Sequence, residues 1–247
     1  MSNVRHTALM ILLLVVVSIA GCNGGEQFPD GANASGFSPE LADTYTAQFD
    51  QIESFTYTAS SVQAVNGEIR NVEYELRANL NKGRFLAIQT GPEEQRITFY
   101  EDKTAYVRTV NASGNSTSVI RNARSPATQV KRLNRTIRSL ARRGNFTYTG
   151  QVSTANGRGY RYTADDVDPT VTGTIPASNV SAELIVLSNG LVLEIELAFD
   201  LETQNASRRV RTTGRFNSVN QTTVDTPQWV RNSGQRVDST WVGVIKK

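Results

Sequence analysis

The sequence predicts a mainly β, α+β fold: one antiparallel sheet of about eleven strands with two helices against one of its faces. Three observations predict it. Residues 71–80 alternate without a break, with Val72, Tyr74, Leu76, Ala78 and Leu80 on one face and Asn71, Glu73, Glu75, Arg77 and Asn79 on the other, the two-residue period of a strand. Asn66-Gly67 and Ser188-Asn189-Gly190 each separate two alternating runs, as hairpin turns do. Helical spacing of apolar residues is confined to two stretches.

In chain order, the first helix follows Ser38-Pro39. Ser38 can cap it, Pro39 suits the first helical position, and Glu40 and Asp43 suit the positive end of the helix dipole. Leu41, Tyr45, Phe49 and Ile52 form its apolar stripe. From Phe55 the period changes to two. Phe55, Tyr57 and Ala59 lead into the Asn66-Gly67 turn, and the alternating run 71–80 returns from it. Arg84–Thr90, Arg96–Tyr100, Ala105–Val110 and Ser118–Arg121 follow as strands, punctuated by Gly91-Pro92, Asp102-Lys103 and the turn 111–115.

The second helix covers 126–143, with Val130, Leu133, Ile137 and Leu140 on one stripe and Gly144 as its stop. Strands return at Phe146–Val152, Tyr160–Thr163, Ala182–Leu187, Leu191–Leu201 and Arg208–Phe216. Residues 164–181 read as a polar loop. Residues 219–247 read as an irregular tail with a last strand near 241–245. A curved open sheet of this size must cover its concave face, and the two helix stripes are the available cover.

The N-terminus sets the compartment. Residues 8–17 are unbroken apolar and are followed by Ser18-Ile19-Ala20-Gly21-Cys22. The run is too short to span a bilayer and fits a signal-peptide core. Ile19-Ala20-Gly21-Cys22 resembles a lipobox, in which small residues admit the peptidase and the thiol is alkylated by lipid. The expected division is a lipoprotein signal peptide at 1–21, a flexible Gly/Asn/Ser tether at 22–37 and one domain at 38–247. Two other readings of the leader, a plain secretory signal and a short uncleaved anchor, also leave the body outside. A single lipid chain holds a membrane only marginally, so stable anchorage calls for two chains or a helper surface.

Composition narrows the chemistry. Of 247 residues, 38% are hydrophobic and 20% charged, enough to build a core. The sole His is His6 and the sole Cys is Cys22, both within or beside the leader. The body therefore cannot hold a Ser-His-Asp triad, a Cys nucleophile, a His- or Cys-ligated metal or a haem, and no cofactor is expected. The 26 basic residues nearly balance the 23 acidic ones, which argues against nucleic acid as a partner. Asp165-Asp166-Val167-Asp168 lacks the spacing of a calcium loop and reads as a solvated turn.

The lipobox Cys22, the tether, an N-terminal helix, a hairpin meander, one central helix and further hairpins ending in Thr223-Val224-Asp225-Thr226-Pro227 resemble the LolA/LppX-type lipoproteins, most of all the haloarchaeal lipoproteins of that type. The resemblance covers roughly residues 38–230. It implies an antiparallel half-barrel wrapped around helices, able to enclose an apolar cavity for a lipid or acyl chain. No enzymatic activity is expected, because no local motif marks a pair of carboxylates and no Ser-X-X-Lys or Gly-X-Ser-X-Gly is present.

The candidate cavity residues are Leu41, Phe49, Ile52, Tyr74, Leu76, Phe85, Phe99, Val130, Leu133, Ile137, Leu184, Ile195 and Leu197. The same residues would equally make a packed core, because both need one period. The central helix carries Lys131, Arg132, Arg135, Arg138, Arg142 and Arg143 without an acidic residue. These suit an anionic membrane or lipid head group, or pair with carboxylates of neighbouring elements as an ordinary solvated face. Asn-X-Ser/Thr tripeptides start at Asn33, Asn111, Asn115, Asn134, Asn145, Asn179, Asn205 and Asn220. Asn111 and Asn115, flanking Gly114 in a turn, are the best glycan acceptors. Two functions follow: a lipid-anchored, outward-facing carrier of an apolar lipid-like ligand, or an envelope lipoprotein with a solid core and no ligand. Cys22→Ser is expected to release the protein to the medium or to leave its leader uncleaved, as immunoblots of membrane and medium fractions would register; normal processing and retention would refute the lipobox.

Overall fold

The structure, a computed structural model, describes residues 27–65, 68–168, 177–203 and 206–234. The apolar leader, Cys22, the Asn66-Gly67 turn, the 169–176 loop, Asn205 and the strand expected near 241–245 lie outside the described residues.

A small hairpin, β1 (Ala32–Asn33) and β2 (Gly36–Phe37), precedes helix α1 (Pro39–Phe49). Six strands follow: β3 (Ser54–Val65), β4 (Glu68–Asn79), β5 (Arg84–Thr90), β6 (Glu94–Glu101), β7 (Thr104–Asn111) and β8 (Gly114–Arg121). After helix α2 (Ala127–Arg143) come five more: β9 (Thr147–Thr154), β10 (Gly157–Ala164), β11 (Ala177–Leu187), β12 (Val192–Thr203) and β13 (Ala206–Asn217). Helix α3 (Gln228–Gly234) closes the described chain. Strands β3 to β13 form one curved, unclosed antiparallel sheet of 11 strands, ordered β8-β7-β6-β5-β4-β3-β13-β12-β11-β10-β9. The two hairpin runs thus join through β3 and β13, and α2 carries the chain from one free edge, β8, to the other, β9.

One cross-strand row shows how the helix-covered face changes along the sheet. Successive partners are Tyr148, Tyr162, Leu184, Ile195, Gly214, Ala59, Tyr74, Gln89, Arg96 and Thr109. The row runs from large rings and aliphatics, through a Gly–Ala centre, to polar groups. The helices sit on the bulky part. Helix α1 buries Leu41, Ala42, Tyr45 and Phe49, and α2 buries Val130, Ile137, Leu140 and Ala141. Around the central strands Phe216 meets Phe55, Tyr57 and Phe49 at ring-centroid distances of 5.2, 5.1 and 5.9 Å. Gly214 is required here: a Cβ at this position would lie 1.9 Å from the Tyr57 hydroxyl.

Local details correct several expectations. Ser38 stands at the N-cap of α1, but its hydroxyl makes no cap bond and donates instead to the Gly31 carbonyl at 3.2 Å. Ile52 lies beyond the end of α1 and is buried there all the same. Gly144 ends α2 in an extended conformation, φ −79°, rather than a left-handed one; a Cβ there would meet the Phe146 ring at 2.2 Å. Asn115 is in β8, not in the turn, and the tail holds α3, which the sequence reading lacked.

Residues 27–37, read as the end of a tether, dock onto the sheet. Phe28 packs on Tyr148 and Tyr160 at 5.2 and 5.1 Å, Phe37 on Tyr162 at 4.4 Å, and the Tyr160 hydroxyl donates to the Gln27 carbonyl at 2.6 Å. Two aromatic anchors outweigh the permissive Gly/Asn/Ser composition between them.

The outer face has its own apolar patch. Phe99, Val224 and Val230 are buried together, with Leu86, Tyr106 and Trp229 against them. Phe99 therefore leaves the set of inward residues: on β6 it is Tyr100 that joins the main core, with Phe85 and Ala105. The segment after β13 is stitched down by Asn220, whose Oδ1 accepts from the Glu53 N–H at 2.8 Å while its own N–H donates to the Ser54 carbonyl at 2.7 Å. The rest of the outer face carries ion pairs between adjacent strands, such as Arg215–Glu194 at 3.3 Å and Arg211–Glu196 at 2.7 Å, too exposed to add much stability.

Phe216→Ala would remove the ring shared by three others at the sheet's centre. Its expected cost is about 3–5 kcal/mol, measured as the shift in urea unfolding.

Candidate functional site

The bulky part of the helix-covered face is filled. Leu41, Phe49, Ile52, Leu76, Phe85, Val130, Ile137, Leu184 and Ile195 are buried in one continuous core, with Tyr74, Leu133 and Leu197 half-buried against it. Of the residues expected to line a cavity, Tyr74 alone lines the cleft that the structure has.

That cleft, about 500 Å³ and open to solvent, lies over the other part of the same face, between β4–β8 and the start of α2. Its floor is set by register. One row runs Leu76, Ala87, Thr98, Val107, and the next Ala78, Phe85, Tyr100, Ala105, Ile120. Ala87, Thr98, Ala105 and Val107 occupy positions where the other half of the sheet has Tyr, Leu and Ile. Small side chains leave the space. Ile120, 47% exposed on edge strand β8, forms one lip. Ala123, Arg124, Ser125, Pro126, Thr128 and Gln129 form the other. Tyr74 spans the cleft's inner end, its hydroxyl donating to Gln129 Oε1 at 2.9 Å. Gln89 and Arg96 belong both to this cleft and to an outer one of about 720 Å³ that continues to the tips of β3–β6, where Glu68, Arg70, Glu93 and Glu94 make it charged.

A further groove of about 580 Å³ lies mainly on the outer face, lined chiefly by Thr58, Ser60, Glu73, Glu75, Glu194, Thr213 and Arg215. Carboxylates and hydroxyls on that scale suit water, not hydrocarbon.

The basic residues of α2 divide in two. Arg142 and Arg138 lie 2.7 and 3.7 Å from Asp43 of α1, and Arg143 lies 3.6 Å from Asp168. These three contact α1 and the 165–168 turn from the C-terminal half of the helix, as exposed pairs that add little stability. Lys131, Arg132 and Arg135 are exposed, with no carboxylate within ion-pair reach among the described residues. Asn111 and Asn115 are exposed on the β7–β8 hairpin; Asn111 Oδ1 accepts from both the Ser113 N–H (3.0 Å) and the Ser113 hydroxyl (2.6 Å).

Three tyrosines lead inward from the cleft. Burial pushes the Tyr74 phenol up; burial, reinforced by Tyr74, pushes Tyr57 up to about 12; burial, reinforced by Tyr57, raises Tyr45 further still. The Tyr45 hydroxyl is buried with no hydrogen-bond partner among the described residues.

No family model matches the sequence, and no curated protein matches it. Among solved structures the chain is similar to LprF from Mycobacterium bovis (11% identity, TM-score 0.43, covering 77% of this chain and 95% of that one). It is similar to the Mycobacterium tuberculosis lipoprotein LppX (10% identity, TM-score 0.42, covering 77% and 100%). A LolA superfamily protein from Nitrosomonas europaea is a third (10% identity, TM-score 0.28, covering 81% and 97%).

The tyrosines give a pH dependence with a definite sign. Folding raises their pKa, so the folded chain keeps protons that the unfolded chain releases above about pH 10. The contribution of Tyr57 is complete below pH 10 and is lost as pH climbs through about 12. Urea midpoints are expected to fall across that window, and Tyr57→Phe to flatten the fall.

Proposed function

We propose that this protein is a lipid-anchored, outward-facing, non-catalytic lipoprotein that binds an apolar lipid-like ligand in the cleft between β4–β8 and α2. One observation carries the reading. The cleft is of ligand-pocket size, about 500 Å³, and its floor is made of Ala87, Tyr100, Ala105 and Val107 on a face whose other half is solidly packed. The open recess above this floor is the place for an acyl chain in this reading.

The lipobox at 19–22 supports anchorage through Cys22, with 1–21 removed and the following residues spanning to the first docked aromatic, Phe28. Lys131, Arg132 and Arg135 suit the helper surface that such an anchor needs, at about 1 kcal/mol per cation near an anionic leaflet. Glycans at Asn111 and Asn115 would sit on the hairpin that borders the cleft.

A second reading, an envelope lipoprotein without ligand, is favoured by the filled interior beneath α1 and α2, where Leu41, Ile137 and Leu184 are wholly buried.

Native mass spectrometry of the full chain, extracted from its own membranes in non-ionic detergent, separates the two. A co-purifying lipid at near-stoichiometric occupancy, lost when Ala87→Trp fills the cleft, is the expected result. Wild-type protein without lipid, or lipid retained in Ala87→Trp at undiminished occupancy, would favour the solid-core reading.

A further inference from the structure

We infer that the cleft selects an amphiphile with an anionic head group, a carboxylate or a phosphate, and that Arg96 and Arg124 hold that group. The inference rests on the lipid-binding reading above and deepens it by naming the ligand class. The two guanidinium groups come from different walls. Arg96 belongs to β6, in the row Tyr74–Gln89–Arg96, and Arg124 to the segment entering α2; both line the same cleft.

Their charge is uncommitted. Ten ion pairs are formed among the described residues, using Arg70, Arg77, Arg84, Arg138, Arg142, Arg143, Arg161, Arg209, Arg211 and Arg215. Arg96 and Arg124 are in none of them. Nine of the nineteen arginines among the described residues are in none of these ion pairs, and of those nine only Arg96 and Arg124 line this cleft. Guanidinium groups suit carboxylate and phosphate oxygens, whose fork geometry they match.

The surroundings fix the polarity of binding. Thr98 and Tyr100 follow Arg96 along β6, with Ala87 and Ala105 beside them on β5 and β7, and take the hydrocarbon. Glu93 and Glu94 lie on the far side, in the outer cleft, and repel an anion there. The head group is therefore held between Arg96 and Arg124 rather than further out. Helix α2 has no acidic residue in its first turn, and no carboxylate among the described residues lines this cleft.

The test offers the full chain in non-ionic detergent an equimolar mixture of oleate, oleoyl lysophosphatidate and monoolein. The chains match and the head groups differ. Native mass spectrometry reads the adducts. At least tenfold more oleate and lysophosphatidate adduct than monoolein adduct is expected. The Arg96→Gln/Arg124→Gln double variant should lose that preference while keeping its monoolein adduct and its melting temperature, since both residues are exposed. Equal adducts of all three lipids would overturn the head-group assignment and leave the carrier reading intact. So would a preference for anions that survives in the double variant, or displacement of oleate by excess inorganic phosphate alone, which would mark a free-anion site. Absence of every adduct would overturn both readings together.

Discussion

The pairing of β13 with β3 is the constraint on which the rest of the molecule depends. These strands run in register from Arg208 opposite Val65 to Asn217 opposite Thr56, though most of the chain separates them. Each of the other neighbouring strand pairs in the large sheet is consecutive in sequence. Without this junction there would be two separate meanders, each with a helix. With it there is one sheet with two distant edges, and α2 has to bridge them. A contact of such long range is entropically costly to form. Its compensation lies in the Phe216, Phe55, Tyr57 and Phe49 rings and in the space that Gly214 leaves for the Tyr57 hydroxyl.

The junction also divides the sheet into halves that are treated differently. From β9 to β12 the inward positions are Tyr162, Leu184, Val186 and Ile195, which the two helices cover. From β5 to β7 the smaller Ala87, Thr98 and Ala105 stand among Phe85, Tyr100 and Val107. Packing density in a protein interior leaves little room for chance voids. A row that falls from leucine and tyrosine to alanine and threonine across a continuous sheet makes a recess by subtraction. The ligand reading follows from that contrast between halves more than from the hydrophobicity of any one wall.

Strand count and order were legible because alternation is a local property. Six strands, a helix and five strands stand where the pattern puts them, and α2 starts within one residue of its expected position. The recess was harder to read, because periodicity marks large apolar side chains, and those are the ones that fill space. Leu76 and Ile195 fitted a cavity wall and a packed core equally and lie in the core, whereas Ala87 and Ala105 announced nothing. Steric bulk along a cross-strand row would have been the informative quantity, but a row exists only once register is known. Phe99 went to the wrong face for a related reason. On β6 Phe99 and Tyr100 are both apolar, and the choice between them is made by Val224, Trp229 and Val230, far along the chain. Likewise, nothing local in Phe28 or Phe37 reveals the tyrosines of β9 and β10 that receive them.

Helix α2 is fastened unevenly. Its last turns bury Ile137, Leu140 and Ala141 and are tied by Arg138 and Arg142 to Asp43. Its first turns bury Val130 and reach the sheet through the Tyr74–Gln129 hydrogen bond. The first turn of the helix, through Thr128 and Gln129, makes one lip of the recess, so the mouth of the recess is bordered by the helix end that buries fewer side chains.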